Sequence, residues 1–143
     1  MASFVEINGD IFKSEFIGNP NTAILHCVSS DYALGAGIAK EIEARFKVRN
    51  TLKDLNRHFY PDCILVNGIM NMVTKDKYWN KPTYDSFDTA LEIACGLCHK
   101  CGIDTLIMPR IGSGLDKLDW EICREMIKSR LVNNSINCIV YYI

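Results

Sequence analysis

The sequence has no apolar run that approaches the roughly 20 residues of a membrane-spanning helix. With a net charge of −1 at pH 7, it also lacks the basic excess typical of proteins that bind duplex nucleic acid. Residues 1–12 mix charges with short apolar steps and give no sign of a secretory signal peptide. We therefore expect no membrane contact, no nucleic-acid site and no secretion.

The seven cysteines are an odd number without a secretion signal, which predicts free thiols in a reducing compartment, the cytoplasm or the nucleus. Three of them, Cys95, Cys98 and Cys101, are spaced like metal ligands and enclose His99. However, this run overlaps the end of a predicted helix, and no fourth Cys or His follows at a usual spacing. Buried free cysteines behave as small hydrophobic residues, so we expect core thiols and no metal.

Strand and helix patterns alternate along the 143 residues, of which 48% are hydrophobic, enough for the core of one compact domain. Continuous apolar runs at residues 23–28 and 105–108 are typical of strands buried on both faces. Asn67-Gly68 between two apolar runs predicts a tight hairpin. Helical spacing of apolar residues is found at 38–46, weakly at 52–55, at 87–97 and at 118–131. This alternation predicts an α/β sandwich with a mixed sheet and helices on both faces.

Two glycine-containing loops each follow a buried strand and precede a helical pattern. They are Gly35-Ala36-Gly37-Ile38 and Gly112-Ser113-Gly114. Glycine lets the backbone N–H groups approach an anion, and the start of a following helix adds the positive end of its dipole. The first loop alone is equally consistent with a plain turn, because Lys40 replaces the third glycine of the dinucleotide fingerprint. Since both loops would lie at the carboxyl ends of their strands, together they predict one ligand with a diphosphate or similar anion.

Four polar residues near these loops each have two interpretations. Asp10 is either a turn aspartate that accepts from its own backbone or a carboxylate for an adenine amino group. Lys75 is either solvated or, if it loses its proton, a nucleophile toward a carbonyl carbon. Asp116 either stabilises the N-terminus of the next helix electrostatically or takes part in catalysis. For His26, in a buried strand, we favour a hydrogen-bonded core residue over a minor role at the site.

Six segments carry a specific pattern in the order of the chain: residues 8–12, 26–31, 35–39, 74–75, 81–84 and 109–116. In this order they resemble a macro domain, the ADP-ribose-binding α/β/α module, over essentially the whole chain. The most specific combination is the Pro-Arg-Ile-Gly-x-Gly-Leu-Asp string with Thr-Lys before Lys-Pro-Thr-Tyr. It is similar to the terminal ADP-ribose protein glycohydrolases and the ADP-ribose 1''-phosphate phosphatases. The resemblance implies a three-layer α/β/α sandwich with a mixed central sheet, with residues 1–143 as a single, monomeric macro domain.

The resemblance also implies which residues hold ADP-ribose. Asp10 would hold the adenine amino group and Ile11 the ring edge, while the two glycine loops wrap the diphosphate and the distal ribose. The implied ligand-binding residues are Asp10, Ile11, Ser29, Gly35, Ala36, Gly37, Ile38, Thr74, Pro109, Arg110, Ile111, Gly112, Ser113, Gly114, Leu115, Tyr141 and Ile143.

The implied activity is hydrolysis of the ester between mono-ADP-ribose and a protein Glu or Asp, with O-acetyl-ADP-ribose as a related substrate. The commoner macro-domain hydrolases have an Asn that residues 27–31 lack, so their catalytic scheme does not carry over. The glycohydrolase subgroup uses a lysine nucleophile and an aspartate acid/base, which align with Lys75 and Asp116. No metal and no cofactor are implied, and the partners are ADP-ribose and mono-ADP-ribosylated proteins. A 1''-phosphate phosphatase and a non-catalytic ADP-ribose reader are the alternatives.

Overall fold

The computed structural model describes residues 2–143. They form six strands and four α-helices, with short 3₁₀ turns at Ile11–Lys13 and Val132–Asn134. In chain order the elements are β1 (Phe4–Asn8), β2 (Thr22–Ser29), α1 (Gly37–Phe46), α2 (Arg49–Asp54), β3 (Asp62–Val66), β4 (Ile69–Lys75), α3 (Tyr84–Cys101), β5 (Thr105–Met108), α4 (Trp120–Arg130) and β6 (Asn137–Tyr142).

The strands form one sheet in the order β1-β6-β5-β2-β4-β3, in which β3 is antiparallel to β4 and all other neighbours are parallel. α3 and α4 cover one face over a core that includes Phe87 and Ile127. α1 and α2 cover the other face, over a second core that includes Ile42 and Leu52. The predicted three-layer α/β/α sandwich with a mixed sheet is therefore confirmed. In the described part of the chain, no helix is both long and apolar enough to span a membrane.

Local sequence signals set several element ends. Asn67 and Gly68 both have positive φ, 52° and 76°, and join β3 to β4 in the predicted hairpin. Thr83 and Ser86 form a capping box at the start of α3. The predicted stop at Gly102 is confirmed, since it ends α3 in the left-handed conformation at φ 72°.

The helix after the second glycine loop begins later than its pattern predicts. α4 starts at Trp120, where the Asp119 side chain accepts a hydrogen bond from the Glu121 N–H. The Leu118 N–H instead donates to the Gly112 carbonyl oxygen at 2.7 Å, so the loop closes on itself first. The prediction that this glycine turn opens directly into a helix is therefore wrong, whereas the first loop does lead into α1 at Gly37.

His26 is a core residue, as predicted. It pairs across the sheet with Asn71, whose Oδ1 lies 2.6 Å from His26 Nε2. The Asn71 amide donates to the carbonyl oxygens of Ile64 and Ile69, so its Oδ1 must accept and His26 Nε2 must donate. Among residues 2–143, His26 Nδ1 has no hydrogen-bond partner. A proton there would be buried without an acceptor, and burial accordingly lowers the pKa of His26 to about 4.

We expect the free energy of unfolding to fall as the pH drops from 6.5 towards 4. In this window the unfolded chain protonates His26, whose ordinary pKa is 6.5, whereas the folded chain does not until its pKa of about 4. The difference amounts to about 3 kcal/mol once both states are protonated. Denaturant titrations across this pH range measure it. His26→Gln keeps a donor for Asn71 and does not titrate, so the free energy of unfolding of this variant should depend less on pH. An equal dependence on pH in the variant and the unmodified protein would contradict this account.

Candidate functional site

The carboxyl ends of five parallel strands lie side by side along one edge of the sheet, in the order β1, β6, β5, β2 and β4. At a strand spacing of about 4.8 Å, this row is about 19 Å long. The first glycine loop follows β2 and the second follows its neighbour β5, so both lie at this edge, as predicted. A site along the row suits a long ligand better than a compact one.

A cleft of about 1040 Å³ follows this row of strand ends. The strand order puts Asp10 and Ile11 at one end, after β1, both glycine loops in the middle, and Lys75 at the other end, as the last residue of β4. The predicted residues that line the cleft are Asp10, Ile11, Ser29, Gly35, Ala36, Gly37, Ile38, Lys75, Pro109, Arg110, Ile111, Gly112, Ser113, Gly114, Leu115, Asp116, Tyr141 and Ile143.

Lys75 and Asp116 form an ion pair at the β4 end of the cleft. The Lys75 Nζ lies 2.7 Å from Asp116 Oδ1, and each side chain is 13% exposed. A β-bulge sets the position of the lysine, because the register between β2 and β4 shifts so that Ser29 pairs with Lys75 and Thr74 is passed over. An amine and a carboxylate in contact can exchange a proton, so the pair offers a nucleophile with an adjacent base.

Three cleft glycines differ in what surrounds them. A Cβ at Gly112, where φ is 82°, would lie 3.0 Å from core atoms beneath α3 and α4, so the fold requires glycine there. At Gly114 a Cβ would have no protein atom within 4 Å. At Gly37, where φ is 58°, it would lie 3.0 Å from the Leu115 Cδ1 atom. Leu115 of the second loop therefore rests against the first loop.

The side chains at the β1–β6 end already have protein partners. Asp10 Oδ1 accepts a hydrogen bond from the Phe12 N–H at 2.9 Å and caps the 3₁₀ turn. The Tyr141 hydroxyl lies 2.8 Å from the Ser14 hydroxyl. Asp10 thus acts as a turn aspartate and also lines the cleft, and its contact with adenine stays a prediction.

The Arg110 guanidinium is held by β1 and β6. It lies 4.2 Å from the centre of the Tyr142 ring and its Nε is 3.7 Å from Glu6 Oε1. The Ser113 hydroxyl donates to the Arg110 carbonyl oxygen at 2.8 Å and closes the turn between them. Because its side chain is held there, Arg110 contributes mainly its backbone to the middle of the cleft.

Thr74 is the one predicted ligand-binding residue that does not line the cleft. Its side chain is fully buried, and its carbonyl oxygen accepts a hydrogen bond from the Ser86 hydroxyl at 2.7 Å, which ties β4 to α3. Neighbouring side chains in a strand point to opposite faces, and here it is Lys75 that reaches the cleft. The structure thus places the Thr74 side chain under α3 and outside the cleft.

Tyr78 and Trp79 belong to the site and Asp31 supports them, although their roles were not predicted from the sequence. Tyr78 and Trp79 line the cleft just beyond Lys75. The Asp31 carboxylate accepts hydrogen bonds from the Ser29 hydroxyl, the Ala33 N–H and, at 3.1 Å, the Tyr78 N–H. Partial burial opposes ionisation of Asp31, but these hydrogen bonds hold its pKa below the usual range. Two adjacent aromatic residues in a polar segment were the available sequence signal.

The thiols in and below the cleft are protonated. Cys27 lines the cleft, and burial together with the nearby Asp116 carboxylate raises the pKa of its thiol. Burial also raises the pKa of Cys98, in the Cys95 to Cys101 run, to about 12. Cys95 and Cys98 are core thiols as expected, whereas for Cys101 that expectation is wrong, because its side chain at the end of α3 is exposed. Among residues 2–143, no three Cys, His, Asp or Glu side chains converge as metal ligands would. That this run holds no metal stays a prediction.

A mixed six-stranded sheet between two helical layers, with a cleft across its parallel strand ends, is the architecture of a macrodomain. The structure matches the macrodomain of Mycobacterium tuberculosis DarG with a TM-score of 0.84 at 16% sequence identity, covering 100% of this chain and 99% of that chain. It matches Thermosipho africanus DarTG in complex with ADP-ribose with a TM-score of 0.80 at 19% identity, covering 99% of this chain and 42% of that one.

Sequence similarity shows to which family of macrodomains the chain belongs. No protein-family model matches the chain. Over 139 residues, however, the chain is 34% identical to the ADP-ribose glycohydrolase OARD1 of Homo sapiens, covering 94% of this chain and 88% of that protein. The chain therefore belongs to the macrodomain family of the ADP-ribose glycohydrolase OARD1, and the resemblance found in its motifs is confirmed.

Proposed function

We propose that this protein binds ADP-ribose in the cleft and hydrolyses the ester that joins mono-ADP-ribose to glutamate or aspartate side chains of proteins. The observation that carries the proposal is the ion pair of Lys75 and Asp116 at one end of a cleft along five strand ends. The identity to an ADP-ribose glycohydrolase and the likeness to a structure in complex with ADP-ribose support it.

The order of the strands supports one direction of binding. Adenine would lie near Asp10 and Ile11 at the β1–β6 end, and the diphosphate between the two glycine loops that follow β5 and β2. The distal ribose then reaches the end of β4, where Lys75 lies. Its anomeric carbon, which carries the ester, comes next to an amine and a carboxylate.

The proposed reaction begins with loss of the Lys75 proton, for which Asp116 is the adjacent acceptor. The Lys75 Nζ then forms a bond to the anomeric carbon of the distal ribose while the bond from that carbon to the ester oxygen breaks. The acceptor side chain leaves as a carboxylate, and opening of the ribose ring gives a lysine imine. Water adds to the imine carbon and expels the amine, with Asp116 passing the protons, so that ADP-ribose is released.

A time course with a glutamate-ADP-ribosylated protein tests the activity. We expect loss of the modification together with release of free ADP-ribose. ADP-ribose 1''-phosphate is offered in parallel. Release of inorganic phosphate with a higher kcat/KM would identify a phosphatase, and tight ADP-ribose binding with neither release would identify a reader.

Free ADP-ribose is expected to bind with a micromolar Kd, about −8 kcal/mol. AMP should bind far more weakly, because it leaves the space beside Gly112 and Gly114 empty. Titration calorimetry with the two ligands measures the difference. The absence of both heat and a thermal shift with ADP-ribose would remove the basis of the proposed function.

A further inference from the structure

The apolar side chains most exposed to solvent line the same cleft. Among the exposed large hydrophobic residues of the described chain, Tyr78, Trp79, Leu115 and Ile143 are the four with the highest exposure. Ile143 follows β6, at the proposed adenine end. The other three lie within four residues of Lys75 or Asp116 along the chain, and are 63%, 67% and 71% exposed. An exposed apolar cluster next to a site indicates a contact surface for a partner.

Tyr78 and Trp79 are held in place by the backbone. Their rings pack edge to face at 4.9 Å between centres. The turn that carries them is closed by the Asn80 N–H, which donates to the Lys77 carbonyl oxygen, and by Asn80 Oδ1, which accepts from the Lys77 N–H at 2.9 Å. The Asp31 carboxylate accepts from the Tyr78 N–H and fixes this turn to the loop after β2. The aromatic pair is thus presented to solvent on an ordered turn.

Two of the four lysines around this cluster have no ion-pair partner among the described residues. Lys75 is paired with Asp116, and the Lys77 Nζ lies 3.7 Å from Asp76 Oδ1. Lys81 and Lys117 line the cleft, and within residues 2–143 neither has a carboxylate partner within 4.0 Å. Two free ammonium groups beside exposed aromatic rings suit a segment that carries carboxylates.

We propose that Tyr78, Trp79, Leu115, Lys81 and Lys117 form an acceptor rim that docks the polypeptide carrying the ester, and that the rim favours segments with further acidic residues beside the modified one. This inference rests on the proposed function and names its protein substrate class. The aromatic rings and Leu115 contact the backbone and aliphatic side chains of the bound segment. Lys81 and Lys117 pair with its flanking carboxylates.

Three esters test the acceptor rim with the whole protein: an ADP-ribosyl-glutamate peptide with flanking acidic residues, the same peptide with the corresponding amides, and O-acetyl-ADP-ribose, which has no polypeptide. For the unmodified enzyme we expect kcat/KM to be about threefold to tenfold higher for the acidic peptide than for the amide peptide at low salt. This ratio should approach one as salt rises from about 50 to about 500 mM.

The variants separate the two parts of the rim. Lys81→Ala with Lys117→Ala should bring the acidic-to-amide ratio close to one, whereas Lys53→Ala with Lys100→Ala, both exposed and outside the cleft, should not. Trp79→Ala should lower the ratio of kcat/KM for peptide over O-acetyl-ADP-ribose about tenfold, and Phe59→Ala, exposed elsewhere, should leave it as it is.

The outcomes for the rim and for the activity are distinct. If the enzyme hydrolyses the esters but the rim variants change neither ratio, the acceptor rim is refuted and the activity stands. If it hydrolyses none of the three, the proposed function itself fails.

Discussion

Lys75→Ala should still bind ADP-ribose, with an affinity within about tenfold of the original, while hydrolysis of the glutamate ester falls by about 10²- to 10⁴-fold. The reason is the proposed direction of binding, in which the glycine loops and the β1–β6 end would contact most of the ligand and Lys75 would meet only its distal ribose. Single-turnover hydrolysis and calorimetry on the same preparation separate the two effects.

Lys75→Arg separates charge from nucleophilicity. Arginine keeps the positive charge beside Asp116 but does not lose its proton, so it should be as inactive as alanine. Lys77→Ala, which removes an exposed lysine two residues further along, serves as the control. Hydrolysis by Lys75→Ala at a near-normal rate would refute the lysine mechanism. If Lys75→Arg hydrolysed the ester and Lys75→Ala did not, the role of Lys75 would be electrostatic and not nucleophilic.

Asp116→Ala should also lose turnover, because both formation and release of the lysine adduct are slowed, and release more than formation. Without the carboxylate 2.7 Å from the Lys75 Nζ, release of the amine from its ribose adduct is slowed. Mass spectrometry of this variant after incubation with ADP-ribose should then find added mass on the peptide that contains Lys75. This adduct is specific to covalent catalysis and would be missing if Asp116 only stabilised the fold.

Gly114→Val should abolish measurable ADP-ribose binding without changing the thermal stability. The expected rise in Kd is at least about 100-fold, a loss of about 2.7 kcal/mol of binding free energy. A Cβ at Gly114 would meet no protein atom within 4 Å, and Gly114 lines the cleft. Calorimetry and thermal denaturation are measured side by side.

Gly112→Ala provides the contrast, because its Cβ would meet core atoms at 3.0 Å at a φ of 82°. We expect this variant to lose about 2–4 kcal/mol of the free energy of unfolding. A folded Gly114→Val protein with unchanged ADP-ribose affinity would show that the second loop is an ordinary turn. A fully stable Gly112→Ala protein would show that the loop backbone can shift.

Much of the fold was predictable because its signals are local. The apolar runs of β2 and β5 identify buried strands. Because a glycine loop follows each of these parallel strands, both loops lie at the same edge of the sheet. The hairpin at Asn67 and Gly68 and the end of α3 at Gly102 follow equally from residues that favour positive φ.

The remaining features depend on contacts between distant segments. The pairing of Lys75 with Asp116 joins residues 41 positions apart and requires the bulge that passes over Thr74, which no spacing rule indicates. The late start of α4 follows from a hydrogen bond between Leu118 and Gly112 inside the loop. Residue type alone likewise could not tell that the Arg110 guanidinium packs on Tyr142.

The contact of Leu115 with Gly37 bears on how fast a ligand exchanges. Because the two loops touch, a diphosphate bound between them as proposed would be covered, and the contact would have to open before the ligand leaves. An opening step of this kind slows entry and exit alike, so it lengthens the stay of the ligand without adding to the free energy of binding. Two ligands with the same Kd would then differ in residence time, the longer stay belonging to the one that extends beneath Leu115.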